Sequence, residues 1–275
     1  MKLYQPKTNS TKEENGKVAI IGGSSLFHGA PLLALKIASR IVDIVFFISP
    51  EPSIGKIAEK IKSNLSSFIW VPWADREEYI QKSDAVLIGP GLMRYRSDKN
   101  HQCKNHRICD QIGEETKQIT HQLLEKLSQK QWVIDAGSLQ VMETKFIPRN
   151  AILTPNKKEF KMLFDCQPTK EAAADLAKKH KCVIVLKGAE TIVCSPKKCV
   201  SIKGGNAGLT KGGTGDVLAG LTVALAAKNP AFLAAKIASI IVKKAADELY
   251  KKVGFAYNAD DLAEKIPEVL GRYFC

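Results

Sequence analysis

The sequence has no uninterrupted apolar run long enough to cross a membrane as a helix. Its longest apolar region, residues 217–242, is broken by Lys228, by Asn229-Pro230 and by Lys236, so it predicts two helices of a globular protein. The first 17 residues are polar and rich in Lys, Asn and Glu, and they lack the apolar core of a signal peptide. From these absences we expect a cytoplasmic protein that does not contact a membrane.

The cysteines show no disulfide framework. There are seven, an odd number, scattered from Cys103 to Cys275 without a repeated spacing, and we therefore expect reduced thiols. One compact cluster contains His101, Cys103, His106 and Cys109. Its nitrogen and sulfur atoms are possible zinc ligands, but the spacing matches no standard zinc pattern, and we interpret the cluster as a solvated loop.

Long basic runs are also missing, although 41 Lys and Arg against 28 Asp and Glu give a formal net charge of +13. The basic residues occur singly or in pairs, such as Lys197-Lys198 and Lys243-Lys244, without interleaved aromatic residues. This distribution indicates a lysine-rich solvated surface rather than a nucleic-acid groove, so we expect no nucleic-acid partner. A positive field also attracts polyanionic small molecules.

The chain contains neither an internal repeat nor a linker rich in Gly, Pro or Ser. We expect a flexible N-terminal segment, residues 1–16, followed by a single domain over residues 17–275. Short apolar runs alternate with segments of helical spacing, which predicts an α/β fold with a doubly wound, mainly parallel sheet and helices on both faces. Strands are predicted at 17–22, 43–49, 68–71, 84–88, 131–135, 151–154, 182–186, 191–194 and 200–202. Helices are predicted at 31–40, 54–61, 112–130, 159–164 and 171–180, and only helices are predicted after 202.

Polar and glycine-rich residues follow the predicted strands, at the edge where a doubly wound sheet binds its ligands. They are Gly22-Gly23-Ser24, Gly89-Pro90-Gly91-Leu92, Asp135, Thr154-Pro155-Asn156 with Glu159, and Lys187-Gly188. Each of them alone is also explained as a turn, a helix cap or a surface lysine. Their accumulation at one edge indicates a binding site.

The most informative segment is a glycine-rich loop, residues 204–220, which has seven glycines and one carboxylate, Asp216. An apolar run opens at Val217, so the loop leads into a helix N-terminus, where free N–H groups and the helix dipole favour a phosphate. Asp216 either caps this helix or faces the group that attacks the phosphate, and the loop alone leaves both possibilities open. We expect its pKa to be low in this position.

Taken in order, these motifs resemble those of the ADP-dependent NAD(P)H-hydrate dehydratase family, which belongs to the ribokinase-like superfamily. The resemblance rests on the strand-end motifs together with Gly29-Ala30-Pro31, Glu159-Phe160 and Gly212-Gly213-Thr214-Gly215-Asp216-Val217-Leu218-Ala219-Gly220. It extends from about Val18 to Ala259-Asp260-Asp261-Leu262. The Gly-Pro-Gly motif alone is weak, whereas the ordered set is specific.

The resemblance implies an enzyme that removes water from the hydrated nicotinamide ring of NADH or NADPH, with ADP as co-substrate and AMP and phosphate as products. Asp216 is then the catalytic residue, which deprotonates or orients the ring hydroxyl for attack on the terminal phosphoryl group. The implied hydrate contacts are Ala30, Gly89, Gly91, Asn156 and Asp216. The implied nucleotide contacts are Lys187, Gly188, Ala189, Glu190, Thr191, Asn206, Gly212, Gly213, Thr214 and Gly215.

The same resemblance implies further partners. The phosphate chemistry implies Mg²⁺, for which no ligand is assigned. A homo-oligomer such as a tetramer, and a separate NAD(P)H-hydrate epimerase that acts in the same pathway, are also implied. Gly137 departs from the family pattern, since relatives often carry a second acid at this position, and Phe27, His28 and Met93 depart as well. Any metal or substrate contact at Gly137 therefore stays open.

Two other functions stay open from the sequence. A sugar or vitamin-precursor kinase of the same superfamily would share the glycine-rich loop, but thiazole and pyrimidine kinases tend to have Cys in place of Asp216, and sugar kinases favour Gly-Ala-Gly-Asp. A non-catalytic sensor would bind ADP or ATP without needing that carboxylate. The Gly-Gly-Thr-Gly-Asp motif and the presence of Asp216 favour the dehydratase.

Overall fold

A computed structural model describes residues 3–62, 64–95 and 111–273 of the chain. The cluster of His101, Cys103, His106 and Cys109 lies outside these residues. Its interpretation as a solvated loop therefore stays a prediction.

In the part of the chain that the structure describes, nine strands form one sheet. They are β1 (Lys17–Ile21), β2 (Ile44–Ile48), β3 (Ile69–Val71), β4 (Ala85–Ile88), β5 (Gln131–Ile134), β6 (Ile152–Leu153), β7 (Val183–Leu186), β8 (Thr191–Cys194) and β9 (Cys199–Ile202). Their order across the sheet is β3-β2-β1-β4-β5-β6-β7-β8-β9. The strands from β3 to β7 are parallel, and β8 is antiparallel to both of its neighbours. Each predicted strand is confirmed to within one residue at each end.

The helices connect these strands and close the chain. They are α1 (Gly29–Ala38), α2 (Pro52–Ile61), α3 (Arg76–Lys82), α4 (Gln111–Lys126), α5 (Ala136–Val141), α6 (Lys157–Phe164), α7 (Lys170–His180), α8 (Thr214–Ala226), α9 (Ala231–Val253) and α10 (Ala259–Gly271). The five predicted internal helices correspond to α1, α2, α4, α6 and α7. The sequence pattern does not predict α3 and α5, because helices of seven and six residues are too short to show a clear helical period.

Helices cover both faces of the sheet. In β1, Val18 and Ile20 belong to a core shared with α1, α2, α8, α9 and α10, whereas Ala19 and Ile21 belong to a second core shared with α3 to α7. Because both faces are buried, the strands are continuous apolar runs rather than alternating ones. This arrangement confirms the doubly wound α/β fold expected from the sequence.

The long apolar region at 217–242 forms α8 and the first half of α9, and the helices are separated at Asn229-Pro230 as predicted. In the described part of the chain, no helix has the length and apolar character needed to span a membrane. Residues before β1 contact this region. The Tyr4 backbone N–H donates to Asn229 Oδ1 at 2.8 Å, and Leu3 packs against the core that contains α8 and α9.

The expectation of reduced thiols is wrong for one pair. Cys194 and Cys199 form a disulfide, although they are only five positions apart in the sequence. The antiparallel register of β8 and β9 places them directly opposite each other, so the hairpin brings the two sulfur atoms together. Cys166 and Cys182 have free thiols, and burial raises the pKa of Cys182 to about 12.

Candidate active site

A cavity of about 640 Å³ lies at the carboxyl edge of the sheet, beside the start of α8. Its walls come from the ends of β6 and β7, the loop after β9, and helices α8 and α9. The predicted site residues that line it are Asn156, Lys187, Gly188, Ala189, Thr191, Asn206, Thr214 and Gly215. Glu190, Gly212 and Gly213 are adjacent to lining residues in the chain but do not themselves line the cavity. The structure thus gathers most of the predicted nucleotide residues around a space that suits a small molecule.

The start of α8 is shaped to receive an anion. Gly213 has a φ of +90°, and a Cβ added there would lie 2.5 Å from Leu33 Cδ1, so a side chain would be both strained and crowded. The Thr214 hydroxyl donates to the Leu209 and Lys211 carbonyl oxygens at 2.7 and 2.9 Å, which fixes the turn into the helix. Among the described residues, no side chain caps the helix at Gly213. An uncapped helix start that lines a cavity favours a phosphate.

Four charged side chains, Asp135, Glu159, Lys187 and Asp216, form what we call the charged cluster. Lys187 Nζ lies 2.8 Å from Asp135 Oδ1 and 3.8 Å from Glu159 Oε2. The Thr154 hydroxyl donates to the same Asp135 oxygen at 2.7 Å. The side chains of Asp135 and Glu159 are only 2% and 7% exposed, and Asp216 interacts electrostatically with the other three groups. Three carboxylates therefore share one ammonium group away from bulk water.

This environment raises the pKa of Asp216 to about 7. Burial is the largest cause, and the Asp135 and Glu159 carboxylates raise it further, whereas Lys187 lowers it. The prediction of a low pKa is therefore wrong, because burial and two nearby carboxylates outweigh the positive end of the helix. Burial also raises the pKa of Glu159. Burial on its own would lower the pKa of Lys187. The Asp135 and Glu159 carboxylates outweigh burial, so the pKa of Lys187 is raised.

Helix α6 holds Asn156 and Glu159 in place by a reciprocal cap. Asn156 Oδ1 accepts the N–H groups of Lys158 and Glu159, both at 2.9 Å, and Glu159 Oε2 accepts the Asn156 N–H at 2.8 Å. The alternative explanation of Asn156 as a helix cap is therefore correct, and the same residue also lines the cavity. Glu159 likewise serves both the cap and the charged cluster.

Ala30, Gly89 and Gly91 lie outside the cavity, Ala30 in the first turn of α1 and the two glycines directly after β4. The strand order reverses between β1 and β4, which is the switch point where α/β sheets open a crevice. Gly91 lies against Pro31, the neighbour of Ala30, and the Gly89 N–H donates to the Ile21 carbonyl oxygen at 3.1 Å. Asp135, Glu159 and Lys187 of the charged cluster follow β5, β6 and β7, so in the strand order they lie between this group and the nucleotide residues that follow β8 and β9.

The structure explains the glycine at position 137. A Cβ added to Gly137 would lie 2.2 Å from the Leu92 carbonyl oxygen, so an acidic side chain does not fit there without backbone movement. The Gly137 N–H donates to the Gly89 carbonyl oxygen at 3.2 Å. This position serves the packing of α5 against the loop after β4.

Sequence reasoning missed the contribution of α9 to the cavity. The sequence predicts a solvated surface for the pair Lys243-Lys244, but this is wrong for Lys243, which is only 5% exposed and lines the cavity. Burial lowers its pKa. Near the same wall, the Tyr257 hydroxyl donates to Asn206 Oδ1 at 2.7 Å. The only signal for burial of Lys243 was the apolar sequence that precedes it.

The described residues contain no group of three or more His, Cys, Asp or Glu side chains arranged to hold a metal ion. In the charged cluster, Asp135 and Glu159 already have the Lys187 ammonium as their cation. The donor set therefore does not fit a metal ion held by the protein alone.

Two relatives are similar to this chain in sequence. The bifunctional NAD(P)H-hydrate repair enzyme Nnr of Methanocaldococcus jannaschii is 38% identical over 282 residues, which is 98% of this chain and 50% of the relative. The chain thus spans about half the length of that relative. The ADP-dependent (S)-NAD(P)H-hydrate dehydratase of Nitrosopumilus maritimus is 26% identical over 207 residues, or 68% of this chain and 64% of the relative.

Two solved structures share the fold. A ribokinase-like superfamily protein from Enterococcus faecalis superimposes with a TM-score of 0.80 at 21% identity, covering 98% of this chain and 92% of its own. The ADP/ATP-dependent NAD(P)H-hydrate dehydratase from Bacillus subtilis, co-crystallised with ATP and Mg²⁺, superimposes with a TM-score of 0.78 at 22% identity. The match covers 99% of this chain and 95% of the B. subtilis chain. A family model described as NAD(P)H-hydrate dehydratase matches residues 18–268. This chain therefore belongs to the NAD(P)H-hydrate dehydratase family and has the ribokinase-like fold.

Proposed function

We propose that this chain catalyses the ADP-dependent dehydration of NAD(P)H hydrate to NAD(P)H, with release of AMP and phosphate. The observation that carries the proposal is the position of Asp216, a carboxylate with a near-neutral pKa at an uncapped helix start beside a cavity of nucleotide size. Family membership supports it, as does the ADP dependence named for the N. maritimus relative. We infer that residues 17–275 form the single catalytic domain.

In this proposal the two substrates meet at the charged cluster. ADP occupies the cavity, and its phosphates lie against the Gly215 N–H at the start of α8. The hydrate lies at the switch point between β1 and β4, against Ala30, Gly89 and Gly91. Asn156 and Asp216 then lie between the substrates, where the hydroxyl of the hydrate meets the terminal phosphoryl group.

Asp216 supplies the base. Its carboxylate accepts the proton of the ring hydroxyl while the hydroxyl oxygen bonds to the terminal phosphorus of ADP and the bond from that phosphorus to AMP breaks. The lone pair of the ring nitrogen then expels phosphate from the adjacent carbon, and loss of a proton from the next carbon restores the double bond of NAD(P)H. Phosphoryl transfer depends more on positioning and charge than on a strong base. Lys187 and the first turn of α8 supply that positive charge.

We infer that Mg²⁺ arrives with the nucleotide. Mg²⁺ in such sites keeps several waters and binds substrate phosphates rather than a cage of protein ligands, which agrees with the donor set of the charged cluster. The ion would offset phosphate charge during transfer. The epimerase and the homo-oligomer implied by the family resemblance stay predictions, as does the cytoplasmic location.

The proposal is tested with chemically prepared NADHX. Incubation with the protein, ADP and Mg²⁺ should restore the absorbance of NADH and release AMP and phosphate in equal amounts. Parallel assays with ATP and with NADPHX measure the preference for each substrate. Phosphoryl transfer to a sugar or vitamin precursor without NADH formation would contradict the proposal and favour a kinase. Nucleotide binding without any transfer would favour a sensor.

The rate of dehydration should rise with pH until about pH 7 and then level off. Asp216 accepts a proton only as a carboxylate, and its pKa is raised to about 7. Below that pH the protonated fraction dominates, so kcat/KM should fall by about tenfold for each pH unit. Rate measurements at low substrate concentration, which report the groups of the unliganded enzyme, give this profile. A rate that does not change between about pH 5 and pH 7 would contradict the assignment of Asp216 as the base.

A further inference from the structure

Lys243 connects two loops of the cavity wall. Its Nζ donates to the carbonyl oxygens of Ala189 at 2.6 Å, Gly204 at 2.8 Å and Gly188 at 3.4 Å. Gly188 and Ala189 belong to the turn between β7 and β8, whereas Gly204 belongs to the loop after β9. All three residues line the cavity. One side chain of α9 thus holds both loops.

The hydrogen bonds of Lys243 leave it no donor for a ligand. An ammonium group has three N–H donors, and the three carbonyl contacts use all of them. The residue is 5% exposed. Although it lines the cavity, its chemistry therefore suits a residue that orders the wall rather than one that binds phosphate.

The next turn of α9 holds the same wall. Asp247, four residues after Lys243, accepts the Gly205 N–H at 2.9 Å and an Asn206 side-chain N–H at 3.4 Å. The Asn206 amide also donates to the Ala246 carbonyl oxygen at 2.9 Å. Residues four apart lie on one helix face, so a single face of α9 holds the loop that runs from 204 to 206.

We propose that Lys243 is a positioning residue that holds the two nucleotide-binding loops in place before the nucleotide enters. The inference rests on the proposed function, because it assumes that the nucleotide occupies this cavity. Loops that are already ordered reduce the entropy lost on binding. The same cavity is lined by Leu209, Leu218 and Val242, which suit the base of a nucleoside. Loss of the ordered wall should therefore weaken the binding of adenosine and of ADP to a similar extent.

The test compares Lys243→Met with Lys244→Met. Methionine has a similar length but no donor, and Lys244 is an exposed neighbour on the same helix. Calorimetry should show that Lys243→Met binds both ADP and adenosine at least about tenfold more weakly than wild type, whereas Lys244→Met binds as wild type does. The KM for the hydrate should not change. Hydrogen exchange should rise at 188–189 and 204–206 in Lys243→Met alone.

Two outcomes overturn the inference. Unchanged affinity for ADP in folded Lys243→Met would show that the lysine does not order the site, and weaker binding of ADP with unchanged adenosine affinity would make it a phosphate ligand. If Lys243→Met does not fold, Lys243→Arg is compared in the same way, since a planar guanidinium cannot reproduce the three contacts. Failure of wild type to bind ADP would instead overturn the proposed function.

Discussion

Replacing Asp216 with Asn should lower the single-turnover rate of NADHX dehydration by about 10³-fold. Asparagine has nearly the same shape but cannot accept the proton of the ring hydroxyl at neutral pH. ADP affinity should stay close to that of wild type, because the first turn of α8 and the cavity wall are unchanged. The two quantities are measured by rapid mixing with NADHX and by calorimetry with ADP. Retained turnover in Asp216→Asn would exclude Asp216 as the base.

The same variant should be more stable than wild type at alkaline pH. The pKa of Asp216 is raised from 3.8 to about 7 in the folded protein, so the folded state favours the protonated form. The stability that this protonation provides is complete below the unfolded pKa and is lost as the pH rises through about 7. Asp216→Asn should therefore raise Tm at about pH 8 by a few degrees and by less at about pH 5. A lower Tm for the variant at the higher pH would contradict the burial argument.

Replacing Lys187 with Met should abolish dehydration and lower Tm by about 10 °C. The substitution leaves the buried Asp135 and Glu159 carboxylates without their cation, and breaking a buried ion pair in this way costs about 3–5 kcal/mol. Turnover is lost because the Lys187 ammonium no longer stabilises the Asp216 carboxylate and the transferring phosphoryl group. Differential scanning calorimetry and the NADHX assay measure the two effects.

A double variant separates the structural and catalytic effects of Lys187. In Lys187→Met with Asp135→Asn, the unpaired buried charge at Asp135 is removed. The Tm of this double variant should therefore be close to that of wild type, while the enzyme stays inactive. Lys82→Met is the surface control, since Lys82 pairs with Glu78 in an exposed i, i+4 salt bridge and should shift Tm only slightly. Equal Tm values for the single and double variants would show that the buried Asp135 carboxylate does not destabilise the protein when the Lys187 ammonium is absent.

Much of the fold was predictable because burial on both sheet faces leaves a simple sequence signature. The apolar run from Val18 to Ile21 is continuous, since its residues alternate between two cores. Helices α3 and α5 were missed, since one or two turns carry too little periodicity. The disulfide of Cys194 with Cys199 was missed as well, because it depends on the register of two strands rather than on a cysteine spacing.

Part of the candidate site was predictable from the order of the strands alone. In a parallel sheet every carboxyl end lies on the same edge, so the sequence predicts that Asn156 and Lys187 share one edge and that the loop leading to Asp216 joins it. The chemistry of these side chains depends on contacts that form when the chain folds. The near-neutral pKa of Asp216 depends on burial and on carboxylates from two other elements, and the role of Lys243 depends on carbonyl groups from two loops. Electrostatic interactions and hydrogen bonds depend on the distance between the groups, and these groups come close together only when the chain folds.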